Sequence, residues 1–184
     1  MPYKNVEKHE DKQGSDYWGS GRIQKMVREK DLKSEKEVLV LFNKISSEVN
    51  SVIDLGCGIG RRHVHFPGVR YVGVDREKVM VDKGGEIFPD LMLYRCDLMD
   101  LSDEFPQFKK VFDLAFTFHV VQYNNPEEQA EIFNNIHAVL KTGGYYYMKE
   151  NEGDCPRELV PKDKFETLYT ENPHGHTIFK KLGV

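Results

Sequence analysis

A glycine-rich turn directly after a short apolar run constrains this chain most. Residues Val52–Gly60 read VIDLGCGIG, so the apolar run ends at Leu55 and three glycines follow at alternate positions. Glycine accepts left-handed backbone angles and lets a ligand approach the main chain closely. In an α/β sheet such a turn lies at the carboxyl end of the first strand, where ligands bind. The glycine turn (residues 56–60) therefore predicts an α/β fold with a binding site at that edge.

Further apolar runs alternate with polar or helical segments. Five runs predict buried strands, namely Ser51–Leu55, Tyr71–Val74, Leu91–Arg95, Phe112–Phe118 and Gly144–Lys149. Strands that alternate with crossovers predict a parallel sheet with helices on both faces. Two last runs, Phe165–Glu171 and Thr177–Leu182, flank the turn-forming stretch NPHGH and predict a terminal β-hairpin.

Helix signals accompany these strands. Ser34 and Glu37 fit a capping box at the start of one helix. Asn125 is expected to cap another, with Pro126 in its first turn and Gly143-Gly144 as its end. The inward stripe of that second helix is predicted to be Ala130, Phe133, Ile136, His137 and Leu140. Two intervening helices are expected to be short, because Pro67-Gly68 and Gly84-Gly85 interrupt them.

Composition narrows the class of protein. The 184 residues suit one domain, and 39% apolar with 30% charged residues is typical of soluble globular chains. No apolar run approaches the roughly 18 residues of a membrane helix. Three widely spaced cysteines argue against a disulfide framework and predict a reducing, cytoplasmic location. A net charge of -4 argues against strong, sequence-independent electrostatic binding of nucleic acid. It does not exclude a local basic patch on the surface.

The spacing of the glycine turn discriminates between nucleotide cofactors. A dinucleotide fingerprint, G-x-G-x-x-G, requires glycine at the position of Arg61. Asp54 stands two residues before the first glycine, where a carboxylate would repel a pyrophosphate but suits a ligand that carries an ammonium group. Charge and spacing therefore favour S-adenosylmethionine over a nicotinamide dinucleotide.

Two further acids follow predicted strands. Asp75 ends the second strand, 19 residues after Gly56 (75 − 56), and an acid at about this offset accepts hydrogen bonds from ribose hydroxyls. Asp97 follows the third strand and is placed to accept from an adenine amino group. A glycine-rich turn alone is often only a tight turn, and each acid alone is an ordinary helix cap. The turn and the two acids in order, each at a predicted strand end, predict a nucleoside site.

These features resemble the class I S-adenosylmethionine-dependent methyltransferases, in particular their type 11 and type 25 domains. The resemblance runs from about residue 51 to 150 and includes the fourth-strand segment FDLAFTFH and the segment LKTGG before the fifth strand. It implies a Rossmann-like, doubly wound, seven-stranded and mostly parallel sheet that ends in an antiparallel hairpin. It also implies S-adenosylmethionine as cofactor and S-adenosylhomocysteine as product.

The resemblance assigns residues to parts of the cofactor. The glycine turn would hold the methionine part, Arg61 its carboxylate, Asp75 the ribose, and Asp97 with the Leu98 backbone the adenine. The full set of predicted cofactor-binding residues is Asp54, Gly56, Gly58, Gly60, Arg61, Asp75, Arg76, Asp97, Leu98 and Phe118.

Acceptor-side candidates follow the fourth and fifth strands on the same rim. His119 is the best base by its ordinary pKa, although a packed histidine is an equal interpretation. Tyr123 is the second catalytic candidate and is equally suited to capping the next helix. Gln122, Glu150, Asn151 and Glu152 also lie there. Tyr17 and Trp18 are predicted to form a lid within a flexible arm over residues 1–30, before a single domain over residues 31–184.

Three functions stay open. The leading hypothesis is a methyltransferase for a small molecule or modest polar acceptor of unknown identity. A second is methylation of RNA or protein, since Tyr17-Trp18, GIGR at residues 58–61 and KEN at residues 149–151 are similar to elements of protein N-terminal methyltransferases. A third is a noncatalytic cofactor-binding partner of another subunit. No metal is predicted, because the pairs His63/His65 and His174/His176 lack nearby cysteine or carboxylate ligands.

Overall fold

The structure, a computed structural model, describes residues 45–150, 156–171 and 176–183. The predicted arm with Tyr17 and Trp18 lies outside these residues, as do Asn151 and most of the helix predicted from Ser34. The division into an arm and a domain therefore stays a prediction.

In the part of the chain that the structure describes, seven strands form one sheet in the order β3-β2-β1-β4-β5-β7-β6. Their bounds are β1 Ser51–Leu55, β2 Arg70–Asp75, β3 Met92–Arg95, β4 Phe112–Phe118, β5 Leu140–Lys149, β6 Phe165–Glu171 and β7 His176–Lys181. Strands β1 to β5 pair in parallel, whereas β7 is antiparallel to both β5 and β6. The predicted Rossmann-like sheet and its terminal hairpin are confirmed. The strand order reverses between β1 and β4, which is where ligands bind in such sheets.

Within the described ranges, three α-helices connect the strands, namely α1 Lys78–Ile87, α2 Leu101–Glu104 and α3 Pro126–Val139. Single 3₁₀ turns cover Ser46–Glu48, Arg61–His65, Pro106–Phe108, Val121–Tyr123 and Pro156–Leu159. The short turn after the glycine turn agrees with the predicted stop at residues 67 and 68. None of the helices in the described ranges is long and apolar enough to span a membrane.

Helix α1 does not stop at its glycine pair, so that prediction is wrong. The helix runs through Gly84 and Gly85 to Ile87. A Cβ on Gly84 would lie 2.8 Å from the carbonyl oxygen of Ile59 and 2.5 Å from Leu93. Gly84 therefore allows close packing of α1 against the glycine turn and β3, and this contact outweighs the low helix propensity of glycine.

Helix α3 begins as predicted and ends earlier. Asn125 accepts from the amide of Glu128, while the Glu128 side chain accepts from the amide of Asn125, which completes a capping box. The helix ends at Val139, and β5 starts at the next residue. The glycine pair at residues 143 and 144 thus lies within β5, in place of the predicted helix end.

The position of this glycine pair has a steric reason. The register of β4 and β5 shifts between Phe112 and Leu114. Gly143 adopts a φ of 76° there, and a Cβ on Gly144 would lie 2.9 Å from the Lys141 carbonyl oxygen. The two glycines allow the irregular start of β5. In the local sequence, a glycine pair at such a strand start looks the same as a glycine pair at a helix end.

The inward face of α3 also differs from the prediction, since His137 is only half-buried and Leu140 belongs to β5. Ala130 is exposed, and the buried residues of this helix are Gln129, Ile132, Phe133, Asn135, Ile136 and Val139. Two polar residues on the buried face donate to backbone carbonyls, since Gln129 donates to Val121 and Asn135 donates to Leu98. A prediction of the buried face of α3 that considers only apolar residues therefore misses Gln129 and Asn135.

The sheet is covered on both faces. Alternate residues of a strand point to opposite faces, so Ile53 packs in one apolar cluster with Phe133 and Val52 in another with Phe116. All five residues of β1 are buried. This central strand therefore fixes the glycine turn that follows it.

Candidate active site

The glycine turn is tied to the ends of β1 and β2. Gly56, Gly58 and Gly60 have φ angles of 79°, 57° and 75°, a left-handed conformation that favours glycine. The amides of Gly56 and Cys57 both donate to the carbonyl oxygen of Val74 on β2, at 2.8 and 3.0 Å. The turn is therefore shaped by its own backbone bonds to the neighbouring strand.

Asp75, the acid that ends β2, is bonded to the same turn. Its Oδ2 accepts from the amide of Gly58 at 2.7 Å, and its Oδ1 accepts from the amide of Glu77 at 2.9 Å. Each carboxylate oxygen keeps a second lone pair for a ligand. Burial raises the pKa of Asp75, while the amides of Glu77 and Gly58 partly oppose that rise. Asp75 thus lies beside the glycine turn, as the sequence predicts.

Asp54 lies beneath the turn within β1 and is completely buried. Its Oδ2 accepts from the Tyr71 hydroxyl at 2.5 Å and lies 4.0 Å from Nη1 of Arg62. Burial, and then the Asp54 charge, raises the pKa of both Tyr71 and Cys57 well above their usual values. The charge of Asp75 acts on Cys57 in the same direction. The two acids therefore give the turn a negative local potential.

Arg62 is a site residue that the sequence analysis missed. Besides its approach to Asp54, its guanidinium carbon lies 4.3 Å from the ring centroid of Phe118. This distance is typical of a cation–π contact. The two adjacent arginines are equivalent in the sequence, and only the 3₁₀ turn after Gly60 distinguishes them. The predicted role of Arg61 toward a cofactor carboxylate stays a prediction.

Asp97 and Arg76 lie at the ends of β3 and β2. Asp97 Oδ1 accepts from the amide of Met99 at 3.1 Å, and its Oδ2 lies 4.0 Å from Nη1 of Arg76. Both side chains remain partly exposed, at 30% and 40%. They line a cavity of about 620 Å³ together with Glu77, Lys78, Val79, Arg95, Cys96, Asp100 and Glu104. Leu98 is buried next to Asp97.

The turn after β4 (residues 119–123, the β4 turn) lies against the glycine turn. A Cβ on Gly56 would lie 2.3 Å from Cγ2 of Val120, so the two turns are in close contact. His119 has a φ of 54° and its amide donates to the Lys149 carbonyl oxygen at 2.8 Å. Burial, and then the cation of Lys149, lowers the pKa of His119. A neutral imidazole beside the glycine turn is chemically able to accept a proton.

Glu150 directly follows β5, and its side chain is hydrogen-bonded to the β4 turn. Its carboxylate is buried and accepts from the amides of Val120, Val121 and Gln122 at 3.1 to 3.3 Å. Tyr123, at the end of the same turn, is 37% exposed. From the sequence, Glu150 is expected on the acceptor side, and only the fold shows that its carboxylate faces backbone amides.

One histidine of each pair has a local partner in the described part of the chain. His63 contacts the Gly60 carbonyl oxygen through Nδ1 at 2.9 Å and packs against Phe88, while His176 bonds to the Tyr147 hydroxyl. His174 lies outside the described residues. Within the described ranges, no group of three or more histidine, cysteine, aspartate or glutamate residues could hold a metal ion.

The structure brings most predicted residues to one edge of the sheet. These residues lie at or just after the carboxyl ends of parallel strands, namely the glycine turn, Asp75, Asp97, Phe118 and the β4 turn. A family model described as a methyltransferase domain matches residues 52–144, about half of the chain.

Two curated proteins are similar in sequence. The chain is 27% identical over 168 residues to phosphoethanolamine N-methyltransferase 1 of Triticum aestivum, a match that covers 84% of this chain and 32% of that protein. It is 27% identical over 113 residues to carboxy-S-adenosyl-L-methionine synthase of Pseudomonas paraeruginosa, covering 53% and 42%. The chain thus spans about a third to two fifths of these relatives.

Solved structures share the fold. The 1,6-didemethyltoxoflavin-N1-methyltransferase of Burkholderia thailandensis, solved with its namesake compound and S-adenosylhomocysteine, superposes with a TM-score of 0.71 at 17% identity. That match covers 100% of this chain and 93% of the other. A TehB-like S-adenosylmethionine-dependent methyltransferase from Corynebacterium glutamicum gives a TM-score of 0.65 at 18% identity, covering 78% and 86%.

Proposed function

Because the chain belongs to the methyltransferase-domain family of class I S-adenosylmethionine-dependent methyltransferases, we propose that it transfers a methyl group from that cofactor to a small polar acceptor. The observation that carries the proposal is the 2.7 Å hydrogen bond between Gly58 and Asp75. It joins the glycine-rich turn after β1 to the acid that ends β2. This turn borders the β1/β4 position where the strand order reverses, which is where this fold binds nucleosides.

The proposed cofactor site extends along the ends of three strands. The glycine turn surrounds the methionine part, with Arg61 on its carboxylate. Asp75 accepts from the ribose hydroxyls through its remaining lone pairs. Asp97 and the backbone of Leu98 bind the adenine, beside the cavity that Asp97 and Arg76 line.

The charges around the turn support this choice of ligand. Asp54 acts from beneath the turn, since it is buried and already accepts from Tyr71. Together with Asp75 it favours a ligand with an ammonium and a sulfonium group and disfavours a pyrophosphate. Arg62 offsets part of the Asp54 charge and packs against Phe118, which places that ring at the border of the methionine side.

The β4 turn is the proposed acceptor side. The cofactor supplies a methyl carbon activated by a positively charged sulfur, so the protein mainly has to align the acceptor and exclude water. His119 is the proposed base for an acceptor that arrives protonated, because its lowered pKa keeps the imidazole neutral at pH 7. Gln122 and Tyr123 follow it on the same turn and are the proposed acceptor-orienting residues.

The names of the relatives support a small acceptor. One sequence relative is named for phosphoethanolamine, and one structural neighbour was solved with bound 1,6-didemethyltoxoflavin. We therefore place the acceptor among small polar molecules with a nucleophilic nitrogen or oxygen.

Transfer of label from the cofactor tests this function. The full chain is incubated with methyl-labelled S-adenosylmethionine and a cell extract, and the products are separated by size. We expect label in the low-mass fraction, and suppression of that label by excess S-adenosylhomocysteine. Label in protein or RNA would refute a small acceptor. Absence of transfer while the chain still binds the cofactor would refute an enzymatic role and favour a noncatalytic partner.

A further inference from the structure

Glu150 is a buried acid that contacts no described cationic side chain at hydrogen-bond distance. It is 1% exposed, and its two oxygens accept from three consecutive amides of the β4 turn and from the Thr117 hydroxyl, which lies at 3.4 Å. Burial of an isolated carboxylate is expensive unless hydrogen bonds compensate for lost water. Four converging donors supply that compensation and hold the carboxylate at the start of the 3₁₀ turn Val121–Tyr123.

The contacts of Glu150 reach the cofactor side through Val120. The amide of Val120 donates to Glu150, and the Val120 side chain lies against Gly56 of the glycine turn. The next residue back, His119, is held in a left-handed conformation with a φ of 54°. One carboxylate therefore fixes a segment that carries both the proposed base and the wall of the glycine turn.

We propose that Glu150 is a positioning residue that sets the β4 turn against the glycine turn, and thereby couples the acceptor side of the site to cofactor binding. Its catalytic meaning rests on the proposed function, because the β4 turn carries the acceptor-side residues named there. Its role in holding the β4 turn does not rest on that function, because the hydrogen bonds of Glu150 involve no ligand.

Protonation of Glu150 offers a direct readout of this coupling. Burial raises the pKa of Glu150 to about 7, and the amides of Gln122, Val121 and Val120 oppose that rise. Thr117 acts from β4 in the same direction as the amides. The neighbouring titratable groups are Lys149 on β5 and His119 on the turn, whose pKa is lowered from 6.5. Protonation removes acceptor capacity from a carboxylate, so the β4 turn should loosen as the pH falls through 7.

Backbone amide resonances test the proposal in the full chain, without an acceptor. The amides of Val120, Val121, Gln122 and Gly56 are followed by NMR between pH 6 and 8. We expect them to share one titration midpoint near 7 in the wild type and to lose it in Glu150→Gln. The exposed residue Glu166 provides the matched control, and Glu166→Gln should keep the midpoint.

Affinity for S-adenosylhomocysteine is measured over the same pH range. In the wild type it should weaken toward pH 6. At pH 8 Glu150→Gln should bind about tenfold more weakly, because its amide group presents a donor to the amides of the turn. Equal affinities of Glu150→Gln and Glu166→Gln at every pH, or an unchanged titration in Glu150→Gln, would overturn the proposal.

A second variant covers the case in which Glu150→Gln does not fold. Thr117→Val removes one donor that favours the charged form of Glu150, so the shared midpoint should move upward. An unchanged midpoint in Thr117→Val would count against the proposal. If S-adenosylhomocysteine binds to no variant, the proposed function fails, while the amide titration still decides the role of Glu150.

Discussion

Replacing Gly56 with alanine is expected to lower the free energy of unfolding by about 2–5 kcal/mol and to weaken S-adenosylhomocysteine binding by more than about tenfold. Two effects add at this position. A side chain at a φ of 79° is strained by about 1–2 kcal/mol. The new Cβ would also lie 2.3 Å from Cγ2 of Val120, and such overpacking typically costs about 1–3 kcal/mol.

Gly68 offers a matched control for this substitution. Its φ of 76° is almost the same, but no atom lies within 4 Å of the position of its Cβ. Gly68→Ala should therefore report the backbone strain alone and leave cofactor affinity unchanged. Thermal unfolding and calorimetric titration of both variants measure the difference. Equal losses of stability in the two variants, with intact binding in Gly56→Ala, would show that the contact with Val120 is unimportant.

Replacing Asp75 with alanine is expected to weaken S-adenosylhomocysteine binding by about 3 kcal/mol, or on the order of a hundredfold. The substitution removes the proposed acceptor for the ribose hydroxyls. It also releases the amide of Gly58, which donates to Asp75 at 2.7 Å, so the glycine turn loses its link to β2. Hydrogen bonds to a charged group are worth about 1.5–3 kcal/mol each.

Asp82 provides the control for the loss of an acid. It lies on α1, is largely exposed, and pairs with Lys78 one turn earlier. Asp82→Ala should change the unfolding free energy by a few tenths of a kcal/mol and leave the affinity as it is. If Asp75→Ala binds S-adenosylhomocysteine as tightly as Asp82→Ala does, the acid at the end of β2 does not contact the ribose.

Features encoded locally were accessible from the sequence. Each predicted strand recurs within a few residues, because a sheet covered on both faces requires continuous apolar runs. Asn125 and Pro126 mark the start of α3 through chemistry confined to one helical turn. The glycine turn could be predicted for the same reason, because residues with a left-handed backbone favour glycine. Asp75 could be predicted because it directly ends an apolar run.

Features that depend on tertiary contacts were not accessible. Gly84 lies within a helix because the carbonyl of Ile59 leaves no room for a side chain, and nothing near Gly84 in sequence reveals that neighbour. Arg62 is distinguished from Arg61 only by the direction of a short turn. Glu150 becomes a partner of the β4 turn only when β5 pairs with β4, which brings together groups about 30 residues apart.

Thermal unfolding of the full chain with and without S-adenosylhomocysteine tests the central claim most directly. A ligand at a hundred times its Kd stabilises the native state by about 2.7 kcal/mol. For a chain of this length, each kcal/mol should raise the Tm by about 2–4 °C. The site described above predicts a concentration-dependent rise of this size with S-adenosylhomocysteine. No change in Tm at millimolar S-adenosylhomocysteine would contradict the assignment of the glycine turn and Asp75 as a cofactor site.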